Sequence, residues 1–235
     1  MLTVDCIKKN FCDNKVLQSV SFHIPQGQVV GLLGENGAGK TTLFRIICSL
    51  ISADEGNVYI NGQALEEDRI CYPSVFFGGS SGLYSRLSAR ENITYFANLN
   101  GVYGDVLNNK IDYFSNLLDM NDYIDRKTLQ FSHGMKQKTA LVRMAVINSP
   151  LMLLDEPTTG MDFPSIVSVA DFIQHQKNES KTILYSSHNI SELSSICQRV
   201  IILHKGVIKA DIDLIKYSAN KDNIVKKAYL RILEK

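Results

Sequence analysis

Gly34-Glu35-Asn36-Gly37-Ala38-Gly39-Lys40-Thr41, followed by Thr42, decides how this chain is read. Glycines stand at both ends of a four-residue spacer, and the stretch closes on Lys-Thr, the pattern of a phosphate-binding loop. Each part answers a physical demand. Glycine N–H groups can turn inward with no Cβ in the way, making a concave nest for phosphate oxygens. Lys40 then supplies a point positive charge for the β- and γ-phosphates. The Thr41 hydroxyl supplies an oxygen ligand for the Mg²⁺ that bridges them.

The flanks support the loop. Gln28-Val29-Val30-Gly31-Leu32-Leu33 is almost wholly apolar and predicts a buried parallel strand. Beyond the loop, Leu43, Ile46, Ile47 and Leu50 recur at helical spacing. A helix is therefore expected to start where the phosphates would lie, its dipole adding attraction for the anion. Strand, loop and helix together predict a nucleoside triphosphate site.

Bulk properties set the outer bounds. A chain of 235 residues can bury a substantial core, as one domain with a subdomain or as two small domains. A net charge of +1 gives no global field directed at nucleic acid or an anionic surface, and no nucleic-acid partner is expected. No apolar run approaches the roughly 18–20 residues that span a bilayer, and the first residues lack a basic-then-apolar signal pattern. Any membrane role is thus expected to be peripheral. Cys6, Cys12, Cys48, Cys71 and Cys197 are odd in number and never form a C-x-x-C pair, so reduced thiols are expected rather than disulfides or zinc ligands.

Along the chain, Leu2, Val4 and Cys6 alternate with polar residues, as do Val20, Phe22 and Ile24, predicting two antiparallel strands. Pro25-Gln26-Gly27 is a turn, and Asn57-Val58-Tyr59-Ile60 ends at the hairpin signal Asn61-Gly62. Residues 87–147 carry helical periodicity, with Ile111, Phe114, Leu117 and Leu118 on one face and Ala140, Leu141, Met144 and Ala145, near Ile147, on another. Parallel-strand signals return at Leu151-Met152-Leu153-Leu154, Thr182-Ile183-Leu184-Tyr185 and Val200-Ile201-Ile202-Leu203, with a helix over 165–175 between the first two. Lys205-Gly206 turns into Val207-Ile208-Lys209, and residues 223–233 predict a final helix offering Ile224, Ala228, Tyr229 and Ile232 for packing. The sum is an α/β core interrupted by a helical insertion.

The apolar run 151–154 ends at Asp155, with Glu156 directly after it. In a phosphate-loop ATPase a strand-end Asp holds Mg²⁺, commonly through water, and an adjacent carboxylate can accept the proton of the attacking water. Three further pieces stand in order around this pair. Ser132-His133-Gly134-Met135-Lys136-Gln137 precedes it, Thr159-Gly160-Met161-Asp162 follows it, and Ser186-Ser187-His188 ends the next apolar strand. This ordered set, over essentially the whole chain, resembles the nucleotide-binding subunit of ATP-binding cassette (ABC) transporters. The Ser-x-Gly-Met-Lys-Gln form of the signature resembles bacterial exporters of the drug and sodium-efflux type.

The resemblance implies a P-loop NTPase core of RecA-like type with a small antiparallel β subdomain and an inserted α-helical subdomain. It divides a single cassette, 1–235, into a core of 1–82 and 149–235 and a helical subdomain of 83–148. Residue by residue, it implies nucleotide contacts from Phe11, Val16 and the 34–42 loop, with Thr41 and Asp155 toward Mg²⁺. Glu156 resembles the general base, and His188 the residue that contacts the γ-phosphate and positions water. Asp162 belongs to the D-loop. Phe11 stands where the family has an adenine-stacking tyrosine; a Phe beside a strand is otherwise a core residue. Ser132, His133, Gly134 and Met135 form a signature that serves the γ-phosphate of another subunit, through the Ser132 hydroxyl and the Gly134 N–H.

Three departures stand out. The common Leu-Ser-Gly-Gly-Gln reads Phe131-Ser132-His133-Gly134-Met135, and Lys138 replaces an arginine, keeping charge but losing the bidentate fork. In Phe76-Phe77-Gly78-Gly79-Ser80-Ser81-Gly82-Leu83-Tyr84 the family's coupling glutamine is missing, with Gly79 nearest its slot. A carbonyl, a serine or a water would have to stand in. Around Leu83-Tyr84-Ser85-Arg86-Leu87 and Glu91-Asn92 the resemblance implies a surface for the coupling helix of a permease. It further implies ATP and Mg²⁺ as cofactors, and a transmembrane permease and a second ATP-binding subunit, closing head to tail, as partners. The expected location is cytoplasmic, on the inner face of the membrane. A soluble cassette acting on ribosomes or DNA is disfavoured by the single cassette, the absence of a long heptad stretch and the lack of basic excess. A non-hydrolysing regulatory cassette is disfavoured by Glu156 and His188.

Overall fold

The computed structural model describes residues 1–65, 73–78, 82–217 and 219–234. In chain order the first elements are β1 (Leu2–Phe11), β2 (Asn14–Ile24), β3 (Val29–Leu33), α1 (Lys40–Ile47), β4 (Glu55–Ile60), β5 (Gln63–Ala64) and β6 (Ser74–Phe77). Three helices follow: α2 (Ala89–Leu99), α3 (Gly104–Leu117) and α4 (His133–Val146). The remainder is β7 (Leu151–Asp155), α5 (Phe163–Asn178), β8 (Thr182–Ser187), α6 (Ile190–Ile196), β9 (Arg199–His204), β10 (Val207–Asp213) and α7 (Lys221–Leu233).

Six strands form one sheet in the order β10-β9-β3-β8-β7-β6, parallel except for β10. Its central strands β3, β7 and β8 are buried at every position, which is why they read as unbroken apolar runs. Their side chains still alternate between two cores. Val29, Leu33, Met152, Leu154, Ile183 and Tyr185 face the helices α2 to α6. Val30, Leu32, Leu151, Leu153 and Leu184 face α1 and the second sheet, β2-β1-β4-β5, which is antiparallel. At about 1.5–3 kcal/mol for each fully buried Leu, Ile or Val, covering both faces holds the phosphate-loop strand rigidly in the middle. The β5 hairpin forms at Asn61-Gly62, both at positive φ (53° and 76°), as that dipeptide requires.

The structure corrects several expectations. Alternation in β1 breaks at Cys6, which takes φ 51° and is exposed, while Ile7 is fully buried. A bulge between Val4 and Ile7 shifts the register by one, and a period-two pattern cannot anticipate it. Leu50 lies beyond the end of α1 and is 60% exposed, whereas Phe44, unnamed by the helical pattern, is fully buried. Phe76 and Phe77 belong to edge strand β6, paired with β7, rather than to a loop. The short α6 carried no distinct periodic signal. Ile224 is not the anchor of α7; Val225 is fully buried instead, with Ala228, Tyr229 and Ile232 partly buried on the same core. Gly79 and Cys71 lie outside the described residues.

The helical stretch 87–147 resolves into α2, α3, a 3₁₀ turn (Thr128–Gln130) and α4. A capping box starts α2: Ser88 Oγ accepts from Glu91 N at 3.1 Å, and Glu91 Oε2 accepts from Ser88 N at 2.7 Å. Ser88→Ala should therefore cost about 1 kcal/mol and lower the thermal midpoint by about 2–4 °C. An unchanged midpoint by calorimetry would show that the cap is dispensable here.

Candidate functional site

The loop between β3 and α1 is shaped by close backbone approaches. A Cβ on Gly34 would sit 2.5 Å from Leu203 O at the end of β9. Gly39, at φ 105°, caps α1, and a Cβ there would meet Val16 O at 2.9 Å and Leu17 Cδ2 at 2.7 Å. Only glycine satisfies both the angle and the space. Because Gly39 contributes no side-chain cap, the first-turn N–H groups of α1 remain oriented toward the loop cavity.

That cavity, of about 300 Å³, is lined by Asn14, Val16, Glu35, Asn36, Gly37, Gly39, Lys40, Thr41, Thr42 and Glu156. Lys40 is only 5% exposed. Its ammonium donates to Gly34 O at 2.6 Å and Glu35 O at 3.2 Å, and lies 3.1 Å from Glu156 Oε1. Thr41 Oγ1 donates to Asp155 Oδ2 at 2.7 Å. Ala38 packs beneath the loop in the core shared with α1. Thus the structure brings every residue of the predicted loop except Gly34 and Ala38 to the wall of one cavity, and those two support it from behind.

Glu156 is held from several sides. It takes φ 51°, a left-handed conformation that costs a non-glycine residue about 1–3 kcal/mol and persists only where the surroundings enforce it. Its N–H reaches Ser186 O and Ser186 Oγ, both at 3.1 Å. Its Oε2 accepts from Thr159 Oγ1 at 3.0 Å and lies 2.8 Å from His188 Nδ1. Ser186 Oγ also donates to Asp155 Oδ1 at 2.5 Å, so one hydroxyl near the end of β8 orders the Asp155 carboxylate and the Glu156 backbone together. From the other side, Gly78 N donates to Asp155 O at 2.8 Å, and a Cβ on Gly78 would press on that oxygen at the same distance. The segment that opens the glutamine-less loop is therefore bonded to the backbone of the carboxylate pair.

Ser132 to Met135 lie elsewhere. Ser132 caps α4 by accepting from Met135 N at 3.2 Å, and Gly134 follows in the first turn. With His133, Lys138, Gly160, Met161 and Asp162 they line a second cavity of about 400 Å³, which shares no lining residue with the first. The His133 ring packs on Gly160, where a Cβ would come within 3.3 Å of it. Asp162 caps α5, accepting from Ser165 N at 3.2 Å, and its carboxyl is held below the ordinary range by the Ser165 hydroxyl and amide. Lys138 is buried, 4.0 Å from Asp119. Phe11 is not a core residue: it is 48% exposed at the end of β1, with the Lys9 ammonium 5.5 Å from its ring centre.

Reasoning from sequence missed Ser186, Thr159 and Gln137, whose buried amide donates to Thr159 O at 3.1 Å and ties α4 to the segment after Glu156. Each sits inside a stretch already singled out, but hydroxyl and amide partners carry no periodic signal.

Comparison with known proteins agrees with this geometry. The family model described as ABC transporter matches residues 17–159. The chain is 40% identical over 218 residues to the ABC transporter ATP-binding protein NatA of Bacillus subtilis, covering 88% of this chain and 87% of that protein. It is 32% identical over 208 residues to the Fe(3+) ions import ATP-binding protein FbpC of Escherichia coli K12, covering 86% of this chain and 59% of that one. A solved ATP-binding subunit of an ABC transporter superposes with a TM-score of 0.87 at 26% identity, over 97% of this chain and 99% of the other. With the phosphate loop, the Asp155–Glu156 pair and the P-loop NTPase fold in place, the chain belongs to the ABC transporter family, as one of its ATP-binding and ATP-hydrolysing cassettes.

Proposed function

We propose that this cassette powers export through a separate transmembrane permease, working as one of two subunits that close head to tail over two ATP molecules. The observation that carries the composite site is the separation of two cavities. Most of the loop and Glu156 line one, with Asp155 bonded to Thr41 and His188 to Glu156, while Ser132, His133, Gly134 and Met135 line another that shares no residue with it. A signature with a phosphate-facing helix N-terminus and no phosphate loop of its own suits a phosphate held by another subunit.

In this reading the 34–42 loop holds the triphosphate, Lys40 meets its β- and γ-oxygens, and Phe11 and Val16 flank adenine and sugar. Water attacks the γ-phosphorus, the bond to the β-phosphate oxygen breaks, and Glu156 accepts the water proton. His188, 2.8 Å from Glu156 and on the solvent side of it, orients that carboxylate and contacts the γ-phosphate. Mg²⁺ fits the donor set: Thr41 Oγ1 and Asp155 are adjacent hard oxygens, and among the described residues no cluster of three or more His, Cys, Asp or Glu forms an all-protein cage. Such a pair suits an ion that takes its remaining ligands from phosphates and water, where it neutralises phosphate charge.

The permease surface lies beside α2. Tyr84 stacks on Phe96 at 5.9 Å and meets Tyr95 edge-on at 5.3 Å, with Tyr84 and Tyr95 exposed. Arg143, its pKa lowered by burial, lies 4.5 Å over the Phe96 ring and donates to Gly82 O at 3.1 Å. An exposed aromatic cluster of this kind is the anchor type that partner helices use. No described helix is long and apolar enough to cross a membrane; a peripheral place on the cytoplasmic face follows from the proposed permease partner. Export is favoured over import by the Ser132-x-Gly134-Met135-Lys136-Gln137 signature. Co-expression with a candidate permease from a neighbouring reading frame, followed by detergent extraction, should yield a stoichiometric complex. Inverted vesicles carrying that complex should then accumulate cargo from the medium when given ATP. A chain that never co-purifies with the permease overturns the assembly, and ATP-driven uptake confined to right-side-out vesicles overturns the direction.

A further inference from the structure

Beneath the reactive pair lies a buried carboxylate that the reaction as described does not use. Glu192, in the first turn of α6, accepts from the Tyr185 hydroxyl at 2.6 Å and from Thr158 Oγ1 on one oxygen, and from Ser187 Oγ at 2.6 Å on the other. All three donors are themselves buried hydroxyls. A buried carboxylate satisfied by hydroxyls rather than by a Lys or Arg is costly to desolvate, and an apolar residue would hold α6 as Leu193 beside it already does.

What the carboxylate joins gives it a purpose. Thr158 lies two residues after Glu156, on the segment that carries it. Ser187 directly precedes His188, and Asn189 N donates to the same Ser187 hydroxyl at 3.0 Å. The two segments otherwise meet through Ser186, which fixes the Glu156 backbone, and through the 2.8 Å contact between Glu156 and His188 themselves. Burial and the neighbouring carboxylate push the Tyr185 phenol well above its ordinary pKa, so it remains a donor.

We infer that Glu192 is a positioning residue: by bonding Thr158 and Ser187 together it sets the register of the Glu156 segment against the His188 segment. Its carboxylate lies outside the lining of the phosphate-loop cavity. The inference rests on Glu156 and His188 being the reactive pair.

Glu192→Gln keeps the size of the side chain and removes one acceptor oxygen. In the purified full chain its kcat for ATP should fall about tenfold, the scale of one hydrogen bond to a charged group, while KM for ATP stays within about twofold. Thr158→Val should give a similar loss and Thr158→Ser should restore turnover, because only the hydroxyl is needed. The double variant Thr158→Val/Glu192→Gln should lose little beyond either single change, since both interrupt the same Thr158–Glu192–Ser187 bridge. Unchanged kcat in Glu192→Gln, full additivity in the double variant, or kcat and KM shifting together with a lowered thermal midpoint would each overturn the inference. If Glu192→Gln alone proves poorly folded, the Thr158→Ser and Thr158→Val pair decides: equal turnover in the two overturns it. His188→Ala, assayed alongside, reports on the underlying reading separately. Full turnover there removes the reactive pair rather than the clasp.

Discussion

Glu156→Gln should lower ATP turnover by about 10²- to 10⁴-fold, the range that a positioned general base contributes, while leaving ATP affinity within about twofold. The amide still accepts from Thr159 Oγ1 and keeps the shape of the side chain, so the left-handed turn at residue 156 stays supported. What it loses is the capacity to take the proton of the attacking water. It also loses the negative charge 3.1 Å from Lys40, freeing the part of that ammonium not bonded to the Gly34 and Glu35 carbonyls for the phosphates. Binding is therefore preserved or strengthened as hydrolysis stops. If the second cavity serves a phosphate held by another copy, ATP should then trap a dimer that size-exclusion chromatography resolves and ADP does not support. Turnover near that of the unaltered chain would remove Glu156 from its role. A dead but strictly monomeric variant at saturating ATP would instead count against the composite site.

The two outcomes separate because the chemistry of each cavity was readable to different depths. The phosphate loop was legible because its constraints are local. Gly39 takes φ 105° at the start of α1, and Lys40 and Thr41 follow it directly in the chain. The parallel strands were legible because burial on both faces removes polar residues from the run. Whatever depends on approach in space was not. The bulge at Cys6 shifts β1 without altering its alternating appearance. Phe76 and Phe77 look like loop residues beside glycines until pairing with β7 makes them an edge strand. Ser186 reads as one of two serines before a histidine, and only folding shows that it orders Asp155 and Glu156 at once.

The same limit applies to the glutamine-less loop, and here the structure adds a specific link. Gly78 N bonds the carbonyl of Asp155, and the backbone there leaves no room for a side chain. The carboxylate pair and the start of that loop are thus joined through main chain, a link that needs no side chain. The altered signature is tied in by main chain as well. Gln137 grips Thr159 O, and the Thr159 hydroxyl grips Glu156, so the start of α4 and the Glu156 carboxylate belong to one bonded series.

Lys40→Ala should weaken ATP binding itself, by about 10- to 100-fold, as expected for losing a charge-assisted bond of about 1.5–3 kcal/mol. The residue is almost wholly buried and already bonded to Gly34 O and Glu35 O, so its ammonium is held in the loop before any ligand arrives and little ordering cost offsets the bond. Calorimetric titration with ATP checks the effect, with the thermal midpoint of the unliganded variant measured beside it. Undiminished affinity would undo the reading of the loop. Part of the loss has a second origin that can be isolated. Without Lys40, the Glu156 carboxylate faces the triphosphate with no cation between them, and like charges repel most strongly where water is scarce. In a Glu156→Gln background that repulsion is absent, so Lys40→Ala should cost less affinity there than in the unaltered chain. Equal losses in both backgrounds would mean that the 3.1 Å pair contributes nothing once nucleotide is bound, and that Lys40 acts on the phosphates alone.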